Sequence, residues 1–259
     1  MLSTNPRNTT NATNAFGWDP TLDEFAIELP NSATIVHNPT LAFDVMRSMG
    51  KAIGIPEDIL CGSTSHAGKW HACSIMEHIR WCTAMACECS ALARMQAGLY
   101  ISNEAAANQE EIPLVTTLDD LIVAAIYHDI GKVIAPQITE EGFKFHDHGP
   151  VGADYLGCHS IVSPRVAEVI RQHGAYRKEP YPKDLDVLVA YLDLCDELSK
   201  WSDHRFPPEG GDKQRRNRQK NVEKAMAAGV PSEIVYQLVE RNDRVADSAA
   251  IAWEEGRLS

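Results

Sequence analysis

The stretch Ala125-Ile126-Tyr127-His128-Asp129-Ile130-Gly131-Lys132 decides the fold prediction, because here an adjacent His-Asp pair follows an apolar run. Working outward, His78 precedes this pair, and His148, His173 and Asp196 follow it, which gives the order H…HD…H…H…D. Imidazoles and carboxylates are ligands that suit divalent transition metals. A lone histidine is usually a hydrogen-bonded core residue, but this ordered set predicts a metal site.

Helical periodicity surrounds these candidate ligands. Apolar residues recur at three- and four-residue spacing, which predicts helices over residues 73–98, 118–128, 151–156, 164–173 and 184–201. Thr117 is a candidate cap for the second of these helices, and Ser163 with Pro164 a clear start for the fourth. Gly98 and Gly131 are candidate helix ends. Because no core stretch alternates like a strand, we predict an all-α fold, in which facing helices can converge on a metal site.

Composition and charge bound the function classes. The chain has 259 residues, 44% of them hydrophobic, and a net charge of −12 at pH 7. Binding a nucleic-acid backbone needs a cationic surface, so a nucleic-acid polymer is a poor partner for so acidic a chain. The seven cysteines show no disulfide framework spacing, which favours a reducing, cytoplasmic setting. We expect no signal peptide and no membrane span.

The pattern of these residues resembles the HD-domain superfamily. Its signature is a first His, an adjacent His-Asp pair and a distal Asp, and the resemblance covers roughly residues 70 to 205. The two histidines between the pair and the distal Asp are similar to the dinuclear branch of that superfamily. The resemblance therefore implies an HD-domain helical bundle that holds two divalent metal ions. Fe, Mn, Co, Ni and Zn all suit such ligands.

The resemblance also implies which residue holds which ion. One metal takes His78, His128, Asp129 and Asp196 as ligands. Asp129 bridges to the second metal, which also takes the two middle histidines of the pattern, His148 and His173. A hydroxide that bridges two such ions can attack a phosphoryl group in line.

Nearby cations fit an anionic substrate. We predict that Lys132 acts with Asp129 in catalysis and also contacts a substrate anion, and that Arg177 and Lys178 bind substrate as well. Alternatively, Lys132 simply pairs with a nearby carboxylate.

The function predicted first is therefore a metal-dependent phosphohydrolase. Its substrate would be a nucleotide, a cyclic nucleotide or another small phosphate ester. The alternative is a mixed-valent diiron oxygenase of the HD type, acting on a small polar or phosphonate substrate, and the short intervals between the pair, His148 and His173 suit that branch. A third possibility is a non-catalytic module that binds a ligand, against which the complete ligand set argues.

Two ligand assignments have competitors within the sequence. His146 competes with His148, which is favoured because Gly152-Ala153 matches the helix start of the family. Asp193 competes with Asp196, which is favoured because Leu198 follows it at the family's apolar position. The remaining histidines are interpreted as structural or surface residues: His37, His66, His71, His159 and His204.

Flanking segments complete the domain prediction, which divides the chain at 1–15 (disordered), 16–68 (an extension packed on the core), 69–206 (the HD domain) and 207–259 (a C-terminal helical extension). The extension at the C-terminus begins with a Pro- and Gly-rich linker over residues 207–211. A basic cluster follows at Lys213, Arg215, Arg216, Arg218, Lys220 and Lys224. Such a run is usually a solvated helix face, and phosphate or RNA binding is the alternative.

Overall fold

Helices make up most of the structure, a computed structural model that describes residues 18–36, 38–62, 73–104, 112–139, 142–145, 147–200 and 211–254. A 3-10 helix, Pro20–Ile27, comes first. The α-helices are α1 (Ser32–Ile35), α2 (Pro39–Ala52), α3 (Glu57–Cys61), α4 (Ile75–Glu104), α5 (Ile112–Tyr127), α6 (Ile130–Ile134), α7 (His148–Cys158), α8 (Pro164–Gln172), α9 (Val187–Leu198), α10 (Gly211–Ala227) and α11 (Ser232–Glu254). The predicted all-α fold is confirmed.

A short antiparallel hairpin lies outside that prediction. Its strands are β1 (Gln137–Thr139) and β2 (Gly142–Lys144), with Ile138 opposite Phe143. Three residues per strand are too few for alternation to emerge from the sequence pattern. The hairpin joins α6 to α7 and leaves the bundle itself helical.

Local capping residues correctly predict some helix boundaries but not others. Ser163 begins α8 as predicted, since its Oγ accepts a hydrogen bond from the Val166 amide at 3.2 Å. The predictions for Thr117 and Gly98 were wrong, because both residues lie inside helices, α5 and α4. The prediction that Gly131 ends the second helix was also wrong, because α5 ends at Tyr127 and Gly131 belongs to α6.

Long helices carry the core and bring the candidate ligands together. Helix α4 packs against both α5 and α9, and α5 also contacts α8 and α9. Helix α7 packs against α6 and α8. The facing sides of these helices are filled with buried apolar residues, among them Ile75, Ile79, Leu121, Ile126, Ile170 and Leu192. The ligand-bearing elements are therefore held by a continuous hydrophobic core.

The N-terminal segment packs onto this bundle through aromatic side chains. The Trp18 ring meets Tyr155 edge to face at 5.3 Å between centroids. The Tyr155 hydroxyl donates to the Leu22 carbonyl at 2.7 Å, and the Tyr127 hydroxyl to the Pro30 carbonyl at 2.8 Å. Both phenols are fully buried, so these hydrogen bonds satisfy groups that water cannot reach.

The C-terminal helices also pack on the ligand-bearing part of the chain. Helix α10 lies against α9, and α11 against α4. In the basic cluster, Arg218 pairs with Asp243 at 2.6 Å and Lys224 stacks over the Tyr181 ring at 4.6 Å. Those two residues therefore make tertiary contacts, which the simple interpretation of a solvated face did not anticipate. The side chains of Lys213 and Arg215 are outside the described part.

Other predictions fall on residues that the structure does not describe. These are the disordered segment 1–15, most of the linker 207–211, and the histidines His37, His66, His71, His146 and His204. Among the helices that the structure describes, none combines the length and the apolar character needed to cross a bilayer.

Candidate metal centre

The six predicted ligands come from separate elements that converge in the core. His78 lies in the first turn of α4, and the His128-Asp129 pair forms the turn between α5 and α6. His148 is the first residue of α7, His173 follows the last residue of α8, and Asp196 lies in α9. Their side chains are buried, except that His148 is 20% exposed. One edge of the cluster therefore faces solvent.

Half of the cluster gathers around one oxygen of Asp129. The Nε2 atom of His78 lies 3.2 Å from Asp129 Oδ2 and 3.0 Å from Asp196 Oδ1. The Nε2 atom of His128 lies 3.3 Å from Asp129 Oδ2 and 3.4 Å from His78 Nε2. Atoms that share one ion at about 2.0–2.2 Å lie roughly 3 Å from one another, so this spacing suits a common ion.

The other half gathers around the second oxygen of Asp129. The Nε2 atom of His148 lies 3.2 Å from Asp129 Oδ1, and that of His173 lies 3.7 Å from the same oxygen. Two ligand groups result, one of His78, His128 and Asp196 and one of Asp129, His148 and His173. Because the Asp129 carboxylate contacts both, it occupies the position that a bridging ligand would need.

Backbone carbonyls fix three of the four imidazoles. The Nδ1 atom of His128 lies 2.8 Å from the Ala125 carbonyl. His148 and His173 make the corresponding contacts with the carbonyls of Phe145 at 3.0 Å and Ile170 at 2.5 Å. A carbonyl only accepts, so each Nδ1 carries a proton and each Nε2, the nitrogen that would bind an ion, faces the cluster.

Ser199 imposes the same tautomer on His78. Its hydroxyl donates its single hydrogen to the Asp196 carbonyl at 2.6 Å. The Ser199 oxygen, 3.0 Å from His78 Nδ1, must therefore accept the proton of that nitrogen. Consequently, all four Nε2 atoms face the two carboxylates.

This arrangement of atoms fits a metal centre. Lone pairs and carboxylate oxygens repel one another unless a cation or a proton lies between them. Asp129 Oδ2 and His173 Nε2 are buried and have no hydrogen-bond partner. A nitrogen and oxygen donor set of this kind suits Fe, Mn, Co, Ni or Zn.

The cluster sets its own protonation. Burial lowers the pKa of His148 to about 3, so that imidazole is neutral near pH 7. Burial alone would raise the pKa of Asp129, but Lys132 and His128 outweigh it and hold the pKa well below its usual range. Burial would likewise raise the pKa of Asp196, but Lys200 and His78 outweigh this effect and hold that pKa well below its usual range. The carboxylates therefore stay charged, as metal ligands must.

Two lysines stand beside the carboxylates. Lys132 Nζ lies 2.6 Å from Asp129 Oδ2, as an ion pair outside hydrogen-bond geometry. This residue is 6% exposed, so its ammonium is buried beside the Asp129 carboxylate. Lys200 Nζ lies 3.2 Å from Asp196 Oδ2 and 3.4 Å from Glu197 Oε2. The two ammonium groups place positive charge on both sides of the cluster.

The predicted cations beyond His173 are less closely engaged. Arg177 is exposed, but its guanidinium folds back over Gly174 and acts electrostatically on Lys200. Lys178 is exposed, and it makes no ion pair or hydrogen bond among the described residues. Arg177 therefore lies near the cluster, whereas no contact places Lys178 there.

Of the two competing aspartates, only Asp196 joins the ligands. Asp193 instead accepts hydrogen bonds from the Gly174 amide and the Tyr181 hydroxyl, both at 2.7 Å. His148 occupies its predicted place against Asp129, and His146 is outside the described residues. His159 pairs with Asp23 at 3.1 Å, away from the cluster, as its structural interpretation implies.

Sequence reasoning missed Ser199 and Lys200 near Asp196, and it considered Asp193 only as a competing ligand. Ser199 and Lys200 follow Asp196 by three and four positions, and Asp193 precedes it by three. Residues at these spacings share a face of a helix, so the helical pattern of α9 held the signal. Whether they faced the ligands depended on the packing of α9.

The comparison with known families agrees with the geometry. Residues 93–201 match the family model of the HD domain. This match is consistent with membership of the HD-domain superfamily. The match includes every candidate ligand except His78, which the packing of α4 brings to the HD domain. No curated protein and no solved structure matches the chain significantly.

The match to the HD domain indicates the general class of function. HD domains bind divalent metals and are generally metal-dependent hydrolases, which supports an enzymatic function for this chain. The two ligand groups supply the residues that such an activity needs.

Proposed function

We propose that the chain is a dinuclear phosphohydrolase that acts on a nucleotide, a cyclic nucleotide or another small phosphate ester. The observation that carries the proposal is the Asp129 carboxylate, whose two oxygens face separate groups of ligands. Two divalent ions held there would supply a hydroxide nucleophile at neutral pH and a clamp for phosphoryl oxygens.

Six side chains would hold the ions in this proposal. His78, His128 and Asp196 would bind the first ion and His148 and His173 the second, with Asp129 shared. The carbonyls behind three imidazoles and the Ser199 hydroxyl behind the fourth keep the Nε2 atoms aimed inward. Such fixed orientation lowers the cost of organising the ligands when the ions bind.

The cations explain the preference for a phosphate ester. Lys132 and Lys200 lie against the carboxylates, and Arg177 lies near Lys200 at the exposed side. When ions share the carboxylates, these ammonium groups are available to contact an anionic oxygen. Lys178 remains a predicted contact that only a bound substrate would test.

The proposed location of the protein is the cytoplasm, and the seven free thiols agree with it.

The diiron oxygenase is the second candidate, since the same ligands hold iron equally well. Turnover under anaerobic conditions separates the two. We expect protein loaded with Mn²⁺, Co²⁺ or Ni²⁺ to release phosphate, or to cleave a phosphodiester, without oxygen. The panel would contain nucleotides, cyclic dinucleotides, sugar phosphates and phosphonates, and an identically loaded Asp129→Ala variant controls for contaminating phosphatases. Turnover that requires both iron and O₂ would replace the hydrolase with the oxygenase.

Replacing Lys132 tests the proposed contact with the substrate anion. Lys132→Met keeps the aliphatic stem and removes the charge, so kcat/KM on a cleaved ester should fall by about 10- to 100-fold. The melting temperature of metal-loaded protein should change little, because bound ions compensate Asp129. Lys183→Met, an exposed change in the loop after α8, is the control. Wild-type kinetics in Lys132→Met would exclude this residue from substrate binding.

A further inference from the structure

The loop between α8 and α9 begins immediately after a candidate ligand. His173 caps α8 with non-helical backbone angles, φ −59° and ψ 138°, and Gly174 continues with φ +70°. The His173 amide makes the last helical hydrogen bond, to the Val169 carbonyl at 3.1 Å, and the chain leaves the helix at Gly174. A left-handed conformation favours glycine, and the Gly174 amide donates to Asp193 Oδ1 at 2.7 Å.

Asp193 fastens this loop at two points. Besides accepting from the Gly174 amide with one oxygen, it accepts from the Tyr181 hydroxyl with the other at 2.7 Å. Asp193 is 9% exposed and lies on α9, one turn before Asp196. Both ends of the loop segment 174–181 are thereby tied to the helix that carries a ligand of the other group.

Helix α10 supports the same loop from outside. The Lys224 ammonium donates to the Tyr176 carbonyl and lies 4.6 Å from the centroid of the Tyr181 ring. The Tyr176 and Tyr181 rings meet edge to face at 5.9 Å. The Asp193 carboxylate also attracts the Lys224 ammonium. Lys224 therefore contacts the loop through its backbone, an aromatic face and a buried charge.

We propose that Asp193, Tyr181 and Lys224 are positioning residues that hold His173 toward the second metal. Helix α10 would then contribute to the metal centre through Lys224. This inference rests on the proposed function. His173 needs such support because its buried Nε2 has no hydrogen-bond partner and its Nδ1 contacts only the carbonyl of Ile170, in the last turn of α8. The other contacts of the ring are edge-to-face packing on His128 and His148, which are candidate ligands themselves. The matched family segment ends at residue 201, so α10 lies beyond it.

The first ligand group, His78, His128 and Asp196, would depend much less on the contacts made by Asp193, Tyr181 and Lys224. His78 and His128 lie on or beside α4 and α5, and their Nδ1 atoms contact Ser199 and the Ala125 carbonyl instead. A positioning role therefore predicts a selective loss at the second metal. A merely structural role predicts equal losses at both metals, or none at either.

Metal titration of the full chain tests this selectivity. Apo protein would be titrated with Co²⁺, followed by absorption and calorimetry, for wild type, Asp193→Ala, Tyr181→Phe and Lys224→Met. The affinity for the second ion should fall by about 10- to 100-fold in Asp193→Ala, while the affinity for the first stays within about twofold. Lys220→Met, an exposed change on the same helix, should bind both ions like wild type.

The outcomes separate this inference from the proposed function. If wild type binds two ions and all three variants bind the second ion normally, the positioning role is wrong and the metal centre stands. Equal weakening of both ions in all three variants would also overturn it. If wild type binds no Co²⁺, the metal centre itself fails. Should Asp193→Ala not fold, Tyr181→Phe and Lys224→Met decide the matter, since the first removes only a hydroxyl, the second only an ammonium, and both keep most of the side chain.

Discussion

Asp129→Ala should remove most of both metals and lower turnover of a phosphate ester by about three orders of magnitude. This carboxylate lies within 3.3 Å of His78 and His128 through Oδ2 and 3.2 Å from His148 through Oδ1. Its loss therefore removes a ligand from each group at once. Metal content per chain after gel filtration, by elemental analysis, measures the effect.

Two companion variants make this result specific. Asp129→Asn keeps the shape of the side chain and removes its charge, so it should also bind metal poorly, because a neutral amide is a weak bridge. Asp154→Ala breaks a surface pair with Arg171 at 2.5 Å and should leave metal content unchanged. Full metal occupancy in Asp129→Ala would refute the assignment of the bridging ligand.

Gly131→Ala should be the most damaging small substitution next to the pair. A Cβ atom at this position would lie 1.9 Å from the His148 carbonyl oxygen and 2.6 Å from its carbonyl carbon. Backbone atoms cannot move aside without shifting α7, which carries His148. We expect a loss of more than about 3 kcal/mol in the free energy of unfolding, together with weaker metal binding. Urea unfolding of apo protein measures the first quantity.

Gly157, which lies in α7, provides the matched control. Nothing lies within 4 Å of a Cβ built on Gly157, so Gly157→Ala adds a methyl group in open space. This variant should gain about 0.5–1 kcal/mol, since alanine favours helix over glycine. If Gly131→Ala is as stable as wild type, the close approach of α6 to α7 is not as the structure has it.

Much of the bundle could be predicted from local pattern, because helical periodicity and capping residues act over a few positions. Ser163 and Pro164 mark the start of α8 in the sequence and in the structure. The ends of α4 and α5 could not be predicted in this way. A glycine inside a helix costs only about 1 kcal/mol, which tertiary packing readily outweighs, so Gly98 does not end α4.

The sequence by itself determined the all-α class, the HD domain and the candidate ligands, because residue type and order are enough to specify which side chains can bind metal. It did not determine how those side chains are oriented. Only the tertiary structure placed the Ser199 hydroxyl behind His78. It alone also brought Lys224 to the loop after His173. These contacts join residues from different helices, and their geometry depends on how the helices pack, which no local pattern encodes.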